Sequence, residues 1–191
     1  MVGATLSAAI MAAVLSSYIY LGRGLGRLAN QQTLDTETRR TLAYFAQDVQ
    51  ATNGLTDTAN LSATRVAMTV PVAAGTNIIT YYYNNSSSTT TVSINGTNVV
   101  MAANALTRCV YDGTTVTSLT LLRNITAAGL TIKYYDGAGN AYTSYANYLT
   151  GIKQLSLQFS TQAGVSGNGT QTRAYQNSSS RFVLRNRGYL Q

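Results

Sequence analysis

The first 22 residues carry no charged side chain and are apolar or small on every side of a helix. At 1.5 Å per residue, a helix of this length spans roughly 33 Å, enough to cross a bilayer core about 30 Å thick. The next stretch, to about Gln50, has no proline and mixes polar residues with a looser apolar stripe. The pattern predicts one long helix over residues 1–54, apolar in 1–22 and amphipathic in 23–54.

Small side chains are dense in the apolar half of this predicted helix. Residues of this kind let two helix backbones approach closely, so the segment is suited to packing against other helices as well as against lipid. Tyr18 and Tyr20 lie near its end, where an aromatic belt would meet a membrane surface. The positions predicted to form the helix–helix packing face are Gly3, Leu6, Ala9, Ile10, Ala13, Val14 and Ser17.

Three glycines follow at alternate positions, Gly22, Gly24 and Gly26. Each glycine inside a helix costs about 1 kcal/mol relative to alanine, so the cluster predicts a weak point where the helix bends, frays or melts locally. Beyond it, Leu42, Phe45 and Val49 recur at helical spacing and share one face. That face is predicted to pack on the sheet that follows, and Asp48 is assigned to the polar remainder of the helix.

Residues 55–191 contain short runs of β-branched and aromatic residues separated by turn signals. NIITYYY at 77–83 is the clearest strand, and Asn95-Gly96 predicts a hairpin turn. Further strands are predicted over 61–71, 105–113, 115–124, 129–137 and 149–159, with a glycine-rich loop at 161–172 and a last strand over 181–190. The fold class is therefore predicted to be α+β, with a long helix packed on an antiparallel head.

These features together resemble the type IV pilin and pseudopilin superfamily, with most similarity to the minor pseudopilins of the J type. The resemblance is carried by the apolar run with an early glycine, RRTLAYFAQDVQ at 39–50, IKQLSLQFS at 152–160 and SRFVLRNR at 180–187. The family's basic leader and Phe-Thr-Leu-x-Glu motif would stand upstream of Met1, because Met1-Val2-Gly3 is the kind of sequence that follows the glutamate.

The resemblance implies a structural subunit of a bacterial pilus-like or pseudopilus filament. Such a subunit rests in the inner membrane before assembly and then polymerises, with the predicted packing face in the filament core and the head in the extracellular space or the periplasm. Its partners are other copies of itself and other pilin-like subunits. The residues also fit a membrane-anchored extracytoplasmic β-domain that binds glycans or surfaces without polymerising.

Two further interpretations of the apolar segment are a cleavable signal peptide and a buried helix of a soluble domain. A signal peptide has a basic region before a shorter apolar core, whereas no Lys or Arg precedes this long one. A buried core helix remains an alternative, although it would need partners on all of its sides.

Composition removes most catalytic chemistry from consideration. The chain has no histidine, six carboxylates and one cysteine, which excludes Ser-His-Asp and Cys-His catalysis and leaves no Cys/His metal spacing. No enzymatic activity and no cofactor are predicted. Asp136 and Asn140 could supply oxygen ligands to Ca²⁺, but a plain turn explains the same residues. The net charge of +7 comes from dispersed arginines, without the basic patch that nucleic-acid binding requires.

The lone Cys109 stands in an apolar strand context and is predicted to be a small core residue, with an intersubunit disulfide as the alternative. The 14 tyrosines are divided between core positions and surface contacts. Sequences of the form Asn-x-Ser/Thr allow surface glycosylation in an exported protein. They occur at Asn60, Asn84, Asn85, Asn95, Asn124, Asn168 and Asn177.

Overall fold

The computed structural model describes residues 2–56, 61–73, 75–142, 151–163 and 174–184. One helix, α1, spans Val2–Ala51 and is followed by a β-rich head, so the predicted α+β class is confirmed. The strands are β1 Gly54–Leu55, β2 Arg65–Val72, β3 Gly75–Asn84, β4 Thr90–Ile94, β5 Thr97–Met101, β6 Ala105–Tyr111, β7 Val116–Leu122, β8 Ile125–Tyr135, β9 Gln154–Ala163 and β10 Ala174–Val183.

The described strands form three antiparallel sheets. The largest has the order β1-β2-β3-β6-β7, the second has the order β10-β9-β8, and β4 pairs only with β5. Most neighbours in the first sheet are consecutive in sequence, because short turns connect them. β6 is the exception, since it returns to β3 after the β4–β5 hairpin.

One hydrophobic core joins α1 to the two larger sheets. Phe45 and Val49 of α1 are fully buried in it, with Tyr81 of the first sheet and Leu157 of the second. The helix packs mainly on β10 and also contacts β2, β7 and β9. The C-terminal half of α1 is thus an integral part of the head.

The β4–β5 hairpin has a smaller core of its own. Ile94, Val99 and Met101 pack on Cys109 of β6, on the side of the first sheet that faces away from α1. The turn is formed by Asn95 and Gly96, whose φ angles of 47° and 82° are those of the mirror-image turn that hairpins favour. The hairpin predicted from Asn95-Gly96 is present.

The last described strand differs from the prediction. β10 spans Ala174–Val183 and pairs with β9 along its whole length, so it begins earlier than the strand that the sequence pattern placed over 181–190. Residues 185–190 of that prediction lie outside the described residues. The polar run from Gln176 to Ser180 has little strand propensity of its own, and its pairing with β9 supplies the order. β9 likewise extends to Ala163, into the predicted loop, and β2 continues past Pro71 to Val72.

Candidate assembly helix and its junction with the head

The apolar half of α1 has no partner within the described chain. Every side chain from Gly3 to Ala29 is exposed, including large ones such as Leu6 at 64% and Met11 at 75%. An 18-residue window of this helix has a mean hydropathy of 1.7, and none of it is buried. By length and composition, α1 can therefore cross a membrane. An exposed apolar segment of this size marks a site of interaction with protein or membrane.

Two serine hydroxyls in this half form hydrogen bonds within the helix. Ser7 donates to the Gly3 carbonyl oxygen and Ser17 donates to the Ala13 carbonyl oxygen, each at 3.0 Å. This bonding one turn back removes the need for water at those positions. The packing face predicted from sequence is thus compatible with an apolar environment.

The structure places the predicted packing residues on one side of α1. Gly3, Leu6, Ile10, Ala13 and Ser17 follow a spacing of three and four residues, with Ala9 and Val14 flanking them. The same spacing continues along the helix through Leu21, Gly24, Leu28, Gln31 and Asp35. Where this row of residues reaches the head, an open groove lies between α1 and β10. It is lined by Leu28, Gln31, Gln32, Asp35, Tyr175 and Gln176.

The glycine cluster does not interrupt α1 in the isolated chain. Helix runs without a break through Gly22, Gly24 and Gly26, so the local melting that the sequence pattern allowed is not seen. Nothing lies within 4 Å of a Cβ added at any of the three, which means that no close contact requires glycine there. The weak point stays a prediction about the stability of this segment.

The docked half of α1 presents a wider buried face than the sequence pattern indicated. Phe45 and Val49 are fully buried and Leu42 is partly buried against the core, whereas Leu28 is exposed. The buried residues of α1 are Leu34, Thr38, Thr41, Phe45, Asp48 and Val49, and the buried Thr52 follows directly after the helix. Four of these seven are polar, and for this reason hydrophobicity alone did not reveal the face.

Phe45 is the aromatic centre of the junction. Its ring meets the Tyr81 ring edge-on at 5.0 Å and the Phe182 ring at 5.4 Å between centroids. Such pairs contribute about 0.5–1.5 kcal/mol beyond the area that they bury. Phe45 therefore links the helix to β3 of the first sheet and β10 of the second.

A buried ionic group stands beside Phe45. Asp48 of α1 receives two hydrogen bonds from Arg108 of β6, Nε to Oδ2 at 2.6 Å and Nη2 to Oδ1 at 2.9 Å. The Tyr81 hydroxyl donates a third, to Oδ2 at 2.6 Å. Burial and the Asp48 carboxylate raise the pKa of Tyr81, and the same carboxylate raises the pKa of Arg108.

Asp48 corrects the sequence interpretation, which assigned it to the polar remainder of α1. The residue is 4% exposed because it follows Phe45 by three positions and so shares its face. Two features of the sequence could have identified the pair. Asp48 lies on the same helix face as the apolar residues, and Arg108 is the one charged residue in the strand ALTRCVY.

Arg108 also contacts the outer surface of the helix. Its Cζ lies 5.4 Å from the Tyr44 ring centroid, and Arg40 lies 5.7 Å from the same ring. Cation–π contacts of this kind contribute about 0.5–1 kcal/mol at exposed sites. Tyr44 thus covers the Asp48–Arg108 pair where it approaches solvent.

Other residues named from sequence fall outside this junction. The Asp136 carboxylate accepts hydrogen bonds from the backbone and side-chain nitrogens of Asn140, both at 2.8 Å, and these bonds lower its pKa. Both carboxylate oxygens of Asp136 that were proposed for Ca²⁺ are thus engaged in the turn itself. Among the described residues, no group of three His, Cys, Asp or Glu side chains could hold a metal ion.

Cys109 is fully buried beneath the β4–β5 hairpin, as expected for a core residue, and burial raises the pKa of its thiol to about 11. An intersubunit disulfide is therefore incompatible with the closed head.

Four of the potential glycosylation sites are exposed, namely Asn85, Asn95, Asn124 and Asn177. Asn84 is buried, and its amide group donates to the Ala102 carbonyl oxygen at 2.9 Å, which excludes it as an acceptor in the folded head. Asn60 and Asn168 lie outside the described residues.

Comparison with protein-family models, curated proteins and solved structures gives no match for this chain. The features that bear on function are therefore the exposed half of α1 and the way the other half is fixed to the head.

Proposed function

We propose that this chain is a structural subunit of a pilus-like or pseudopilus filament that polymerises through the apolar half of α1. The observation that carries the proposal is the contrast within one continuous helix. Residues 3–29 of α1 are exposed and mostly apolar, whereas residues 34–52 are fixed to the head by packing and by a buried ion pair. The free part of the helix extends about 40 Å from the head.

The packing face supports association with identical helices. Small residues at Gly3, Ala9 and Ala13 permit close approach, and the larger Leu6 and Ile10 beside them supply apolar contact. The face leads into the open groove beside β10, so a neighbouring helix has a path from the apolar segment to the base of the head. Many copies side by side would cover apolar surface that one copy leaves exposed.

In this proposal the membrane holds the subunit before assembly. Tyr18 and Tyr20 are 79% and 78% exposed, and Arg23 follows them at the end of the apolar run. The two tyrosines have the position and exposure of an aromatic belt at a membrane surface, whereas Arg23 and Arg27 on the head side run against the positive-inside rule. Assembly transfers the helix from lipid into a bundle of identical helices, with the heads outside. The role is structural and requires no catalytic group.

Substitutions on the packing face test the proposal. Gly3→Leu and Ala9→Leu add large side chains where helices approach each other, and we expect negative-stain microscopy of producing cells to show few or no filaments. Ala8→Leu is the matched control, because Ala8 lies on the opposite side of α1 and is equally exposed. Filaments that form normally with Gly3→Leu and Ala9→Leu would disprove the packing account.

The second candidate is a membrane-anchored β-domain that does not polymerise. It is favoured by the same exposed helix, which has the length and hydropathy of a single membrane anchor. The two candidates differ in one observable. If the unmodified chain stays in the membrane fraction and forms no filament under any growth condition, the anchored domain is the correct assignment.

A further inference from the structure

The second sheet has an outer face that α1 does not cover. Leu130, Ile132 and Tyr134 of β8 point into the core, so the alternate residues point outward. We call this outward surface the polar face. Its members are Thr131, Lys133 and Tyr135 of β8, Gln154, Ser156 and Gln158 of β9, and Ser179, Arg181 and Val183 of β10.

Two cations stand on the polar face in the same row. Lys133 and Arg181 are both paired with Ser156, one from each side of β9. Their Cα atoms are therefore about 10 Å apart, two strand spacings. Both side chains are exposed, and Ser156 between them is 3% exposed, so it forms the floor of a shallow site.

These cations lack an acidic partner in the described part of the chain. The ion pairs found there are Arg39–Asp35 and Arg108–Asp48, so no carboxylate lies within 4 Å of Lys133 or Arg181. Asp136 follows Tyr135 directly, but both of its oxygens accept hydrogen bonds from Asn140. Two like charges in one row repel each other, and an anion between them would remove that repulsion.

Arg181 is held in a fixed orientation. Its Cζ lies 3.7 Å from the Tyr135 ring centroid, and Nη1 lies 3.4 Å from Gln154 Oε1. A guanidinium stacked in this way keeps the N–H groups at its edge available, and little conformational freedom is lost when they bind an anion.

The neighbouring rows supply neutral polar groups. Gln158 Nε2 lies 3.2 Å from the Ser179 hydroxyl, and Thr131 is paired with Gln158 from the other strand. Amides and hydroxyls offer both donors and acceptors, as a ligand rich in hydroxyl groups requires. Val183 is the one aliphatic residue of the polar face, so the surface gives little apolar contact for lipid chains. Arg181 covers one face of the Tyr135 ring, so that face offers no stacking surface for a nucleobase.

We propose that the polar face binds an acidic polysaccharide, with a carboxylate or sulfate group between Arg181 and Lys133 and sugar hydroxyls hydrogen-bonded to Gln154, Gln158, Thr131 and Ser179. This inference does not require polymerisation. It applies equally to a filament subunit and to a single anchored domain, because the polar face is turned away from the helix.

Binding of polygalacturonate oligosaccharides to the full chain in detergent micelles tests the proposal, with neutral dextran as the uncharged probe. We expect polygalacturonate to bind and dextran not to bind. The double variant Lys133→Gln/Arg181→Gln should weaken binding about tenfold or more, since it removes both charge-assisted contacts. The variant Arg23→Gln/Arg27→Gln lowers the net charge by the same amount outside the head, and its affinity should stay within about twofold of the original.

A neutral substitution separates sugar recognition from charge. Gln158→Ala leaves the net charge unchanged, and we expect it to weaken polygalacturonate binding about fivefold through loss of hydrogen bonds. Unfolding midpoints of all variants establish that the head is intact.

The proposal is overturned if polygalacturonate does not bind, if the Arg23/Arg27 control loses as much affinity as the Lys133/Arg181 variant, or if Gln158→Ala has no effect. Preferential binding to vesicles of anionic phospholipid would assign the face to a membrane surface instead.

Discussion

Asp48 of the helix and Arg108 of β6 are 60 residues apart in the sequence and form a two-point ion pair inside the junction between helix and head. The side chain of Asp48 is 6% exposed and that of Arg108 is 18% exposed. Tyr81 completes the coordination of the carboxylate. Breaking such a pair from one side leaves a charge in a poorly hydrated position, which is more costly than removing both partners.

Arg108→Met should lower the free energy of unfolding by about 3 kcal/mol, because Asp48 then remains buried with only the Tyr81 hydroxyl beside it. The double variant Asp48→Leu/Arg108→Met should be more stable than Arg108→Met alone, since it removes the uncompensated charge. Urea unfolding of the full chain in micelles, followed by tyrosine fluorescence, measures both. A double variant that is less stable than the single one would contradict this account.

Asp35→Asn is the control for that experiment. Asp35 pairs with Arg39 at 2.9 Å, but the side chain of Arg39 is 80% exposed. Exposed pairs one helical turn apart contribute about 0.3–0.5 kcal/mol. We therefore expect a change in unfolding free energy within about 0.5 kcal/mol.

Alkaline pH should destabilise the head through Cys109 and Tyr81. Burial raises the pKa of Cys109 from 9.0 to about 11, and the pKa of Tyr81 is also raised. Since the folded state favours the protonated forms, stability is full below about pH 9 and falls as pH rises, by about 1.4 kcal/mol per pH unit for each titrating group. Cys109→Ala should flatten the decline between pH 9 and 10. An unchanged slope in that variant would exclude the thiol as its cause.

Gly129→Ala should destabilise the head at the irregular part of β8. An added Cβ would overlap with Thr126 Oγ1 and would lie 2.6 Å from the Thr126 carbonyl oxygen and 2.9 Å from the Ser160 carbonyl oxygen. Two of these atoms are backbone and cannot rotate away, so we expect a loss of about 3 kcal/mol, the upper end of the usual range for overpacking. Gly137→Ala is the control, because its nearest neighbour, Lys153 Cγ, is 3.7 Å away. Thermal unfolding compares the two, and equal midpoints would refute the steric argument.

Replacing Gly22, Gly24 and Gly26 by alanine should stabilise α1 around residues 22–26. Nothing obstructs the added methyl groups, and each substitution favours the helix by about 1 kcal/mol. Amide hydrogen exchange in micelles should slow roughly fivefold or more at 22–26 and stay constant at 41–49, which the head already protects. If the original chain exchanges equally slowly in both segments, the glycines are not a weak point.

Local chemistry allowed the sequence to predict several elements. The hairpin turn at Asn95-Gly96 depends on two adjacent residues with a strong preference for positive φ. The burial of Phe45 and Val49 could be predicted because both side chains are apolar and stand at helical spacing. Such signals lie within a few residues of each other.

Distant partners explain what the sequence did not predict. The burial of Asp48 requires Arg108 and Tyr81, whose positions depend on the assembled first sheet. The start of β10 at Ala174 depends on pairing with Ala163 rather than on its own polar residues. The row of Lys133, Ser156 and Arg181 likewise exists only once three strands are in register.

The small core beneath the β4–β5 hairpin is separate from the main core of the head. Ile94, Val99 and Met101 contact the first sheet around Cys109, and none of them belongs to the main core. We therefore expect the hairpin to detach at a lower free energy than the helix and both larger sheets need to unfold. Its detachment uncovers the one thiol of the chain. The rate at which a maleimide reacts with Cys109 consequently reports the opening of a single subdomain, and the protein contains this kinetic probe without any engineered label.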